Sequence, residues 1–283
     1  MPALRYVVAD VFTDTPLAGN QLAVFTDARG VDAGLMQALA LEVGYSETVF
    51  VLPAEQEGHA RIRIFTPRAE LRFAGHPTLG SAFVLGGPLQ LGIIRLETGS
   101  GIVPVTLERD GSGAIVFGRM SQPVPTVEAA PEPERLLAAL GVERSLAPVE
   151  IYDNGVRFAY VGLPGAAQLT AVQPDFAAVA RYDVDGVSCF AGAGGRWQTR
   201  MFGPRVGVDE DPATGAAAGP LACHLARHGL IGWGEEIEIS QGAEIGRPAT
   251  LFARADGGDG LIDGVEVGGS AVVVARGEFR VPF

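Results

Sequence analysis

The chain has 283 residues, 47% of them hydrophobic and 19% charged, with a formal net charge of −12 and no basic run. That balance allows one large domain or two ordinary ones around a sizeable core, excludes a disordered chain, and makes nucleic acid and anionic membranes poor partners. All 21 basic residues are arginine, which excludes chemistries that need a lysine amine: pyridoxal-phosphate Schiff bases, P-loops and lysine aldolases.

The first residues, MPALRYVVADVF, lack the basic region and cleavage site of a signal peptide, and no apolar run reaches the roughly 18 residues of a membrane helix. A cytoplasmic protein is expected. Alternating or β-branched runs predict strands near 4–12, 21–26, 47–52, 60–66, 92–97, 102–109 and 113–118. Asp32 should cap a helix in DAGLMQALALEVG, with Leu35, Leu39 and Val43 on one face and Gly44 ending it. A second helix should start near His76–Pro77, run to Leu85 and stop at Gly86–Gly87. The proline-rich, acidic stretch QPVPTVEAAPEPE (122–134) reads as a linker, so domains are expected at 1–121 and 122–283. Beyond it come a short helix in ERLLAALG, further strands, a helix from about 214 to 228, and four late strands ending at Val281. Whether the last of these, about 278–283, returns to the first domain is left open.

The two sides of the linker look alike. FTPRAELRFAGHPTLGSA starts at Phe65 and FGPRVGVDEDPATGAAAG at Phe202, an offset of 202 − 65 = 137 residues. Each reads Phe-x-Pro-Arg, a short connection, then Pro, Thr and Gly opening a small-residue helix. Upstream of each lies another matched block, 33–52 and 175–191. Two matched blocks in one order favour duplication, hence two similar α+β domains, each aiming one helix start at a shared cleft.

A helix start carries unpaired N–H groups and the positive end of the helix dipole, so it suits a carboxylate or a developing negative charge. Gly75 in one copy and Thr214, Gly215 and Ala216 in the other would let a ligand approach the backbone. His76 is either a capping bystander or a ligand contact. Asp211 before Pro212 has the pattern of an ordinary N-cap. Glu47, before Val49 and Phe50, is either a strand-end surface carboxylate or a partly buried acid/base with a raised pKa.

GNQLAVF (19–25), SETVFV (46–51), FAGHPTLGSA (73–82) and DEDPATGAAAGPL (209–221) occur in an order and spacing that resemble the PhzF-like phenazine-biosynthesis isomerase family, across essentially the whole chain. The resemblance implies the diaminopimelate epimerase-like α+β fold: two pseudo-symmetric domains, each a curved, mostly antiparallel sheet wrapped around a central helix. It implies a cofactor-free isomerase of a small anionic cyclic amino acid, dihydro-hydroxyanthranilate in the best-known member, and a homodimer. By the same resemblance Glu47 is the general acid/base that moves a proton between two carbons, while His76 and Asp211 position and polarise the substrate. Asn20 and Ser46 join the substrate-binding set, and the backbone around Gly75, Thr214, Gly215 and Ala216 holds the carboxylate. The chain departs from the family pattern at Ala216, where a serine is usual, at Gln21 in place of proline, and at Tyr45 before the Ser-Glu pair.

Rival readings are weaker. A two-base epimerase would need two opposed cysteines, but Cys189 and Cys223 read as core residues. His224 and His228 are spaced i, i+4 but have no third ligand nearby in the sequence, so no metal is expected. Arg68, Arg72, Arg200 and Arg205 suit a carboxylate or sheet-surface ion pairs equally. A non-turning-over binder on the same fold is disfavoured by the intact Glu47, His76 and Asp211 set and mildly favoured by Ala216.

Overall fold

The computed structural model describes residues 3–281, so positions 282 and 283 of the expected final strand lie outside the described residues. The chain divides into two compact units: residues up to Ser121 together with Gly268 onward, and Gln122–Val267.

The first unit contains β1 (Ala3–Val11), β2 (Asn20–Phe25), α1 (Ala33–Val43), β3 (Glu47–Leu52), β4 (Ala60–Phe65), β5 (Glu70–Leu71), α2 (Gly75–Leu89), β6 (Ile93–Thr98), β7 (Gly101–Arg109) and β8 (Ile115–Ser121). The second runs through β9 (Thr126–Ala129), α3 (Pro133–Leu140), β10 (Glu150–Asp153), β11 (Arg157–Gly162), α4 (Ala166–Thr170), α5 (Phe176–Val179), β12 (Gly186–Ala193), β13 (Arg196–Gly203), β14 (Val208–Asp211), α6 (Gly215–Arg227), β15 (Glu236–Gln241) and β16 (Ala249–Gly258). The closing strands are β17 (Leu261–Gly269) and β18 (Ala271–Arg280).

Strand pairing repeats. In the first unit β1 pairs antiparallel with β2, β2 parallel with β3, β3 antiparallel with β4, β4 antiparallel with β5 and parallel with β6, and β6 antiparallel with β7. In the second unit β10 to β16 follow the same sequence of senses, with β11∥β12 and β13∥β15 as the parallel pairs. Each sheet is completed by a strand that follows the other unit's run in the chain: β9 pairs with β10, and β18 pairs with β1. The returning strand therefore begins at Ala271 rather than near 278, and the supposed linker contains β9.

Helix α2 packs against β1, β2, β3, β6, β7 and β8, so the first sheet wraps around it. Helix α6 packs on β11 and β16, with α4 against β12 and β13 and α5 against β13. A helix buried on all sides needs small residues where strands approach closely. Gly86 is the case in point: a Cβ there would lie 2.4 Å from Leu107 Cδ1. Gly86 is thus a packing position, Gly87 faces open space, and neither stops α2, which continues to Leu89 and ends where Gln90 turns left-handed at φ 52°.

Asp32 caps α1 by accepting from the Leu35 N–H, and Gly44 closes it in the left-handed region. Its buried residues are Met36, Leu39 and Ala40, with Leu35 and Val43 at the margin instead of leading the face. Beneath it Phe25 stacks on Phe50 at 4.8 Å and Phe50 meets Phe65 edge-on at 5.5 Å. Such aromatic pairs add about 0.5–1.5 kcal/mol each beyond their buried area. Cys189 and Cys223 are both buried and unpaired with each other, and burial pushes both thiols up to about 12. Neither is a base at neutral pH. Among the described residues no helix is long and apolar enough to cross a membrane.

Candidate active site

Because β2 and β3 are parallel, both strands start at the same end of the sheet, with Leu22 opposite Glu47. Asn20 opens β2, Glu47 opens β3 with Ser46 just before it, and α2 begins at Gly75. Helix α2 therefore starts one residue before His76. The structure brings Glu47, His76 and Asn20 together. His76 Nε2 lies 3.5 Å from Glu47 Oε2, and Asn20 Nδ2 lies 3.2 Å from His76 Nδ1. The imidazole is 3% exposed and the Glu47 side chain 15%, and Glu47 Oε2, the oxygen facing His76, is buried. Glu47 is not a surface strand-end residue.

Burial pushes His76 down to about 3, against a backbone hydrogen bond with Gln21 that raises it. The ring is neutral at pH 7, and a helix start is in any case a poor place for a cation. His76 Nε2 makes no hydrogen bond among the described residues. One proton between Nε2 and Oε2, carried by either the imidazole or the carboxyl, would join the two groups. The N-cap of α2 is Ala74, whose side chain caps nothing, so the first-turn amides are not covered by a side chain.

The second unit builds a different arrangement. Asp211 ends β14 and is buried; the N-cap of α6 is Thr214, so Asp211 is not a capping residue. The Thr214 hydroxyl donates to Asp211 Oδ2 at 2.6 Å rather than accepting from the helix. Gln241 ties the turn together: its Nε2 donates to the Asp211 carbonyl at 2.8 Å and to Thr214 Oγ1 at 3.0 Å, and its Oε1 accepts from the Thr214 N–H at 3.3 Å. Gln241 comes from the end of β15 and carries no local motif, so sequence reading missed it. Gly215 and Ala216 form the first turn of α6 with no side-chain cap.

Arg200, a candidate carboxylate binder, is committed to the fold: it makes a two-pronged pair with Glu210, both at 2.8 Å, and donates to the Val172 carbonyl. Arg205 pairs with Asp183, and Arg72 reaches the Gly99 carbonyl.

His224 and His228 do have a third polar partner, contrary to the sequence reading. Glu150 Oε2 lies 3.2 Å from His224 Nδ1 and 3.0 Å from His228 Nε2. The same oxygen accepts from the Tyr152 hydroxyl at 2.9 Å, and Arg227 stands 3.6 Å from the other. These three groups could hold a metal ion by spacing alone. Glu150 Oε2 already has three close partners and its carboxylate faces a guanidinium, while His224 Nε2 has no hydrogen-bond partner among the described residues. Burial alone would raise the Glu150 pKa, but the bonds from His224, His228 and Tyr152 override it and hold it at about 2.

The profile of the family described as "Phenazine biosynthesis-like protein" (PhzC-PhzF) matches residues 9–277. The chain is 50% identical to the trans-2,3-dihydro-3-hydroxyanthranilate isomerase of Pseudomonas aeruginosa, over 96% of this chain and 98% of that protein. Among solved structures, a PhzF-family phenazine biosynthesis protein from Bacillus anthracis superposes with a TM-score of 0.86 at 24% identity, covering 99% of this chain and 100% of that one. A predicted epimerase from Pseudomonas aeruginosa superposes with a TM-score of 0.82 at 32% identity, covering 98% and 99%.

Proposed function

The chain belongs to the phenazine biosynthesis-like family and is an isomerase, and we propose that it isomerises trans-2,3-dihydro-3-hydroxyanthranilate, or a close cyclic amino acid, with Glu47 as the proton carrier. The observation that carries this reading is the Glu47–His76 pair at 3.5 Å, a carboxylate beside a buried neutral imidazole at a helix start. The ionised carboxylate takes a proton from a ring carbon; the C–H electron pair moves into the ring's π-system. The same carboxyl then returns a proton to another ring carbon, so the product has the substrate's atoms and Glu47 is regenerated. The shuttle needs no cofactor.

His76 Nε2 and the uncapped amides at Gly75 stabilise the charge that develops between the two transfers. Asn20 holds the imidazole through Nδ1, and Ser46, beside Glu47, joins the contacts to substrate. Thr214, Gly215 and Ala216 hold the substrate carboxylate through the first turn of α6, and Asp211 fixes that turn through Thr214. A homodimer belongs to the same reading, and sedimentation velocity checks it.

The test is proton NMR of trans-2,3-dihydro-3-hydroxyanthranilate with the protein in D₂O. Isomerisation with deuterium entering a ring carbon, absent with Glu47→Gln, is the expected result. Turnover by Glu47→Gln at the wild-type rate would sink the assignment of the base. No turnover by either protein would sink the substrate.

A further inference from the structure

Helix α6 contains Pro220. A proline has no N–H to offer the carbonyl four residues back, which here belongs to Ala216. A buried carbonyl left unpaired is costly, and here the missing donor comes from outside the helix. Asn154 Nδ2 donates to the Ala216 carbonyl at 2.9 Å. Its neighbour on one side, the Gly215 carbonyl, accepts from Gln122 Nε2 at 2.8 Å, and on the other the Ala217 carbonyl accepts from the Tyr160 hydroxyl at 2.8 Å. Successive carbonyls of the first turn are therefore gripped from three different segments of the second unit.

Asn154 and Gln122 are 3% and 6% exposed and touch each other, Asn154 Nδ2 lying 3.5 Å from Gln122 Oε1. Gly219 is required for the approach: a Cβ there would stand 2.3 Å from Gln122 Oε1 and 2.5 Å from Val265 Cγ1. The Gly-Pro pair at 219–220 thus acts as one device. The glycine admits Gln122, and the proline leaves the Ala216 carbonyl to Asn154. Asn154 Oδ1 has no hydrogen-bond partner among the described residues, so the side chain serves the turn through its donor alone.

The peptide unit is planar, so holding the Gly215 carbonyl also aims the Ala216 N–H on its far side. Resting on the reading that the first turn of α6 holds the substrate carboxylate, we infer that Asn154 and Gln122 are positioning residues: Gln122 aims the Ala216 N–H at it, and Asn154 fixes the following peptide, whose Ala217 N–H donates to the Thr214 carbonyl at 3.0 Å. Ala216 has no hydroxyl to add a contact of its own, so recognition at this position depends on the backbone, and the backbone depends on its outside supports. Asp211 and Gln241 hold the residues just before the turn; Asn154 and Gln122 hold the turn itself.

The experiment measures binding of two aromatic probes that cannot isomerise, 3-hydroxyanthranilate and 2-aminophenol, which differ by the carboxyl group. Calorimetry on the wild type, Asn154→Ala, Gln122→Met and the double variant Asn154→Ala/Pro220→Ala gives the ratio of the two Kd values. The wild type should prefer the carboxylate-bearing probe. Asn154→Ala and Gln122→Met should each cut that preference about tenfold while leaving 2-aminophenol binding within about twofold, and the double variant should regain at least half of it on a logarithmic scale, because residue 220 then supplies an N–H. A merely structural loss would weaken both probes alike and overturns the proposal. So does a preference unchanged in folded Asn154→Ala and Gln122→Met, which leaves the carboxylate reading standing. Equal binding of both probes by the wild type removes that reading itself. If Asn154→Ala alone fails to fold, the preference is read on Gln122→Met and on the double variant, where the losses and recovery given above support the assignment and an unchanged preference in Gln122→Met overturns it.

Discussion

The two units share an order of strand pairings and a central helix, yet they spend the start of that helix differently. In the first, α2 brings a titratable pair to its opening turn: Glu47 and His76, 3.5 Å apart and not locked by a short hydrogen bond. In the second, the opening of α6 is locked, with Asp211 taking the Thr214 hydroxyl at 2.6 Å and Gln241 bracing both. At the position equivalent to Glu47, where β3 begins, β12 begins with Gly186. One scaffold thus carries a close carboxylate–imidazole pair in one copy and a hydrogen-bonded turn in the other.

The sharpest way to break that comparison is to neutralise each unit's carboxylate. Glu47→Gln should lower kcat by about 10² or more, the usual scale for removing a general acid/base, with little change in probe binding. Asp211→Asn removes a brace rather than a proton carrier, so its loss should fall mainly in KM. Steady-state kinetics of the two variants decide the matter. Equal kcat losses would erase the division of labour.

The buried histidines sharpen it next. His76 sits at the start of α2 and His224 in the second half of α6, where it is 0% exposed and hydrogen-bonded to Glu150. Burial lowers the pKa of His224 too, opposed by Glu150. Removing Glu150 leaves His224, His228 and Tyr152 without their common acceptor. Glu150→Ala should therefore cost about 2 kcal/mol of stability in urea denaturation, with kcat within threefold of wild type. A large fall in kcat without loss of stability would place the network in the reaction instead.

Proton linkage separates the histidines from the rest of the chain. An unfolded histidine titrates near 6.5, whereas His76 in the fold is held at about 3. Between those values the unfolded chain binds the extra proton, so stability is full above about pH 6.5 and falls as pH drops toward 3, at about 1.4 kcal/mol per pH unit for one group. Glu150, held at about 2, adds a loss in the same direction below its ordinary value of 4.5. Urea titrations at pH 7.5, 6 and 5 should show a shallower fall for His76→Asn than for wild type, by about one proton. Parallel slopes would mean that His76 is protonated in the fold.

Much of this was legible in the residues. Alternation placed the strands of the first unit, Asp32 and Gly44 bounded α1, and the Phe65 and Phe202 blocks fall at the ends of β4 and β13, the equivalent strands. What failed to show was whatever depends on long-range approach. Gly86–Gly87 looks like a stop until Leu107 is seen beside it. Asp211 looks like an N-cap until its carboxylate is found on Thr214, and nothing near residue 150 announces that Glu150 completes the His224–His228 pair. Gln122, read as the first residue of a linker, is a buried support of α6.

The smallest expected effect concerns Ala216, the proposed binding position at which the family pattern led to the expectation of a serine. Ala216 is 4% exposed in the first turn of α6. If backbone amides hold the carboxylate there, Ala216→Ser adds one hydroxyl donor to a site that already works. A single added hydrogen bond contributes about 0.5–1.5 kcal/mol, or roughly two- to tenfold in affinity. KM should fall within that range while kcat stays within about twofold, since the carboxylate is bound alike before and during proton transfer. A rise in kcat of tenfold or more would mean that the missing hydroxyl acts on the reacting carbons, and would move the second unit from holding the substrate to taking part in the chemistry.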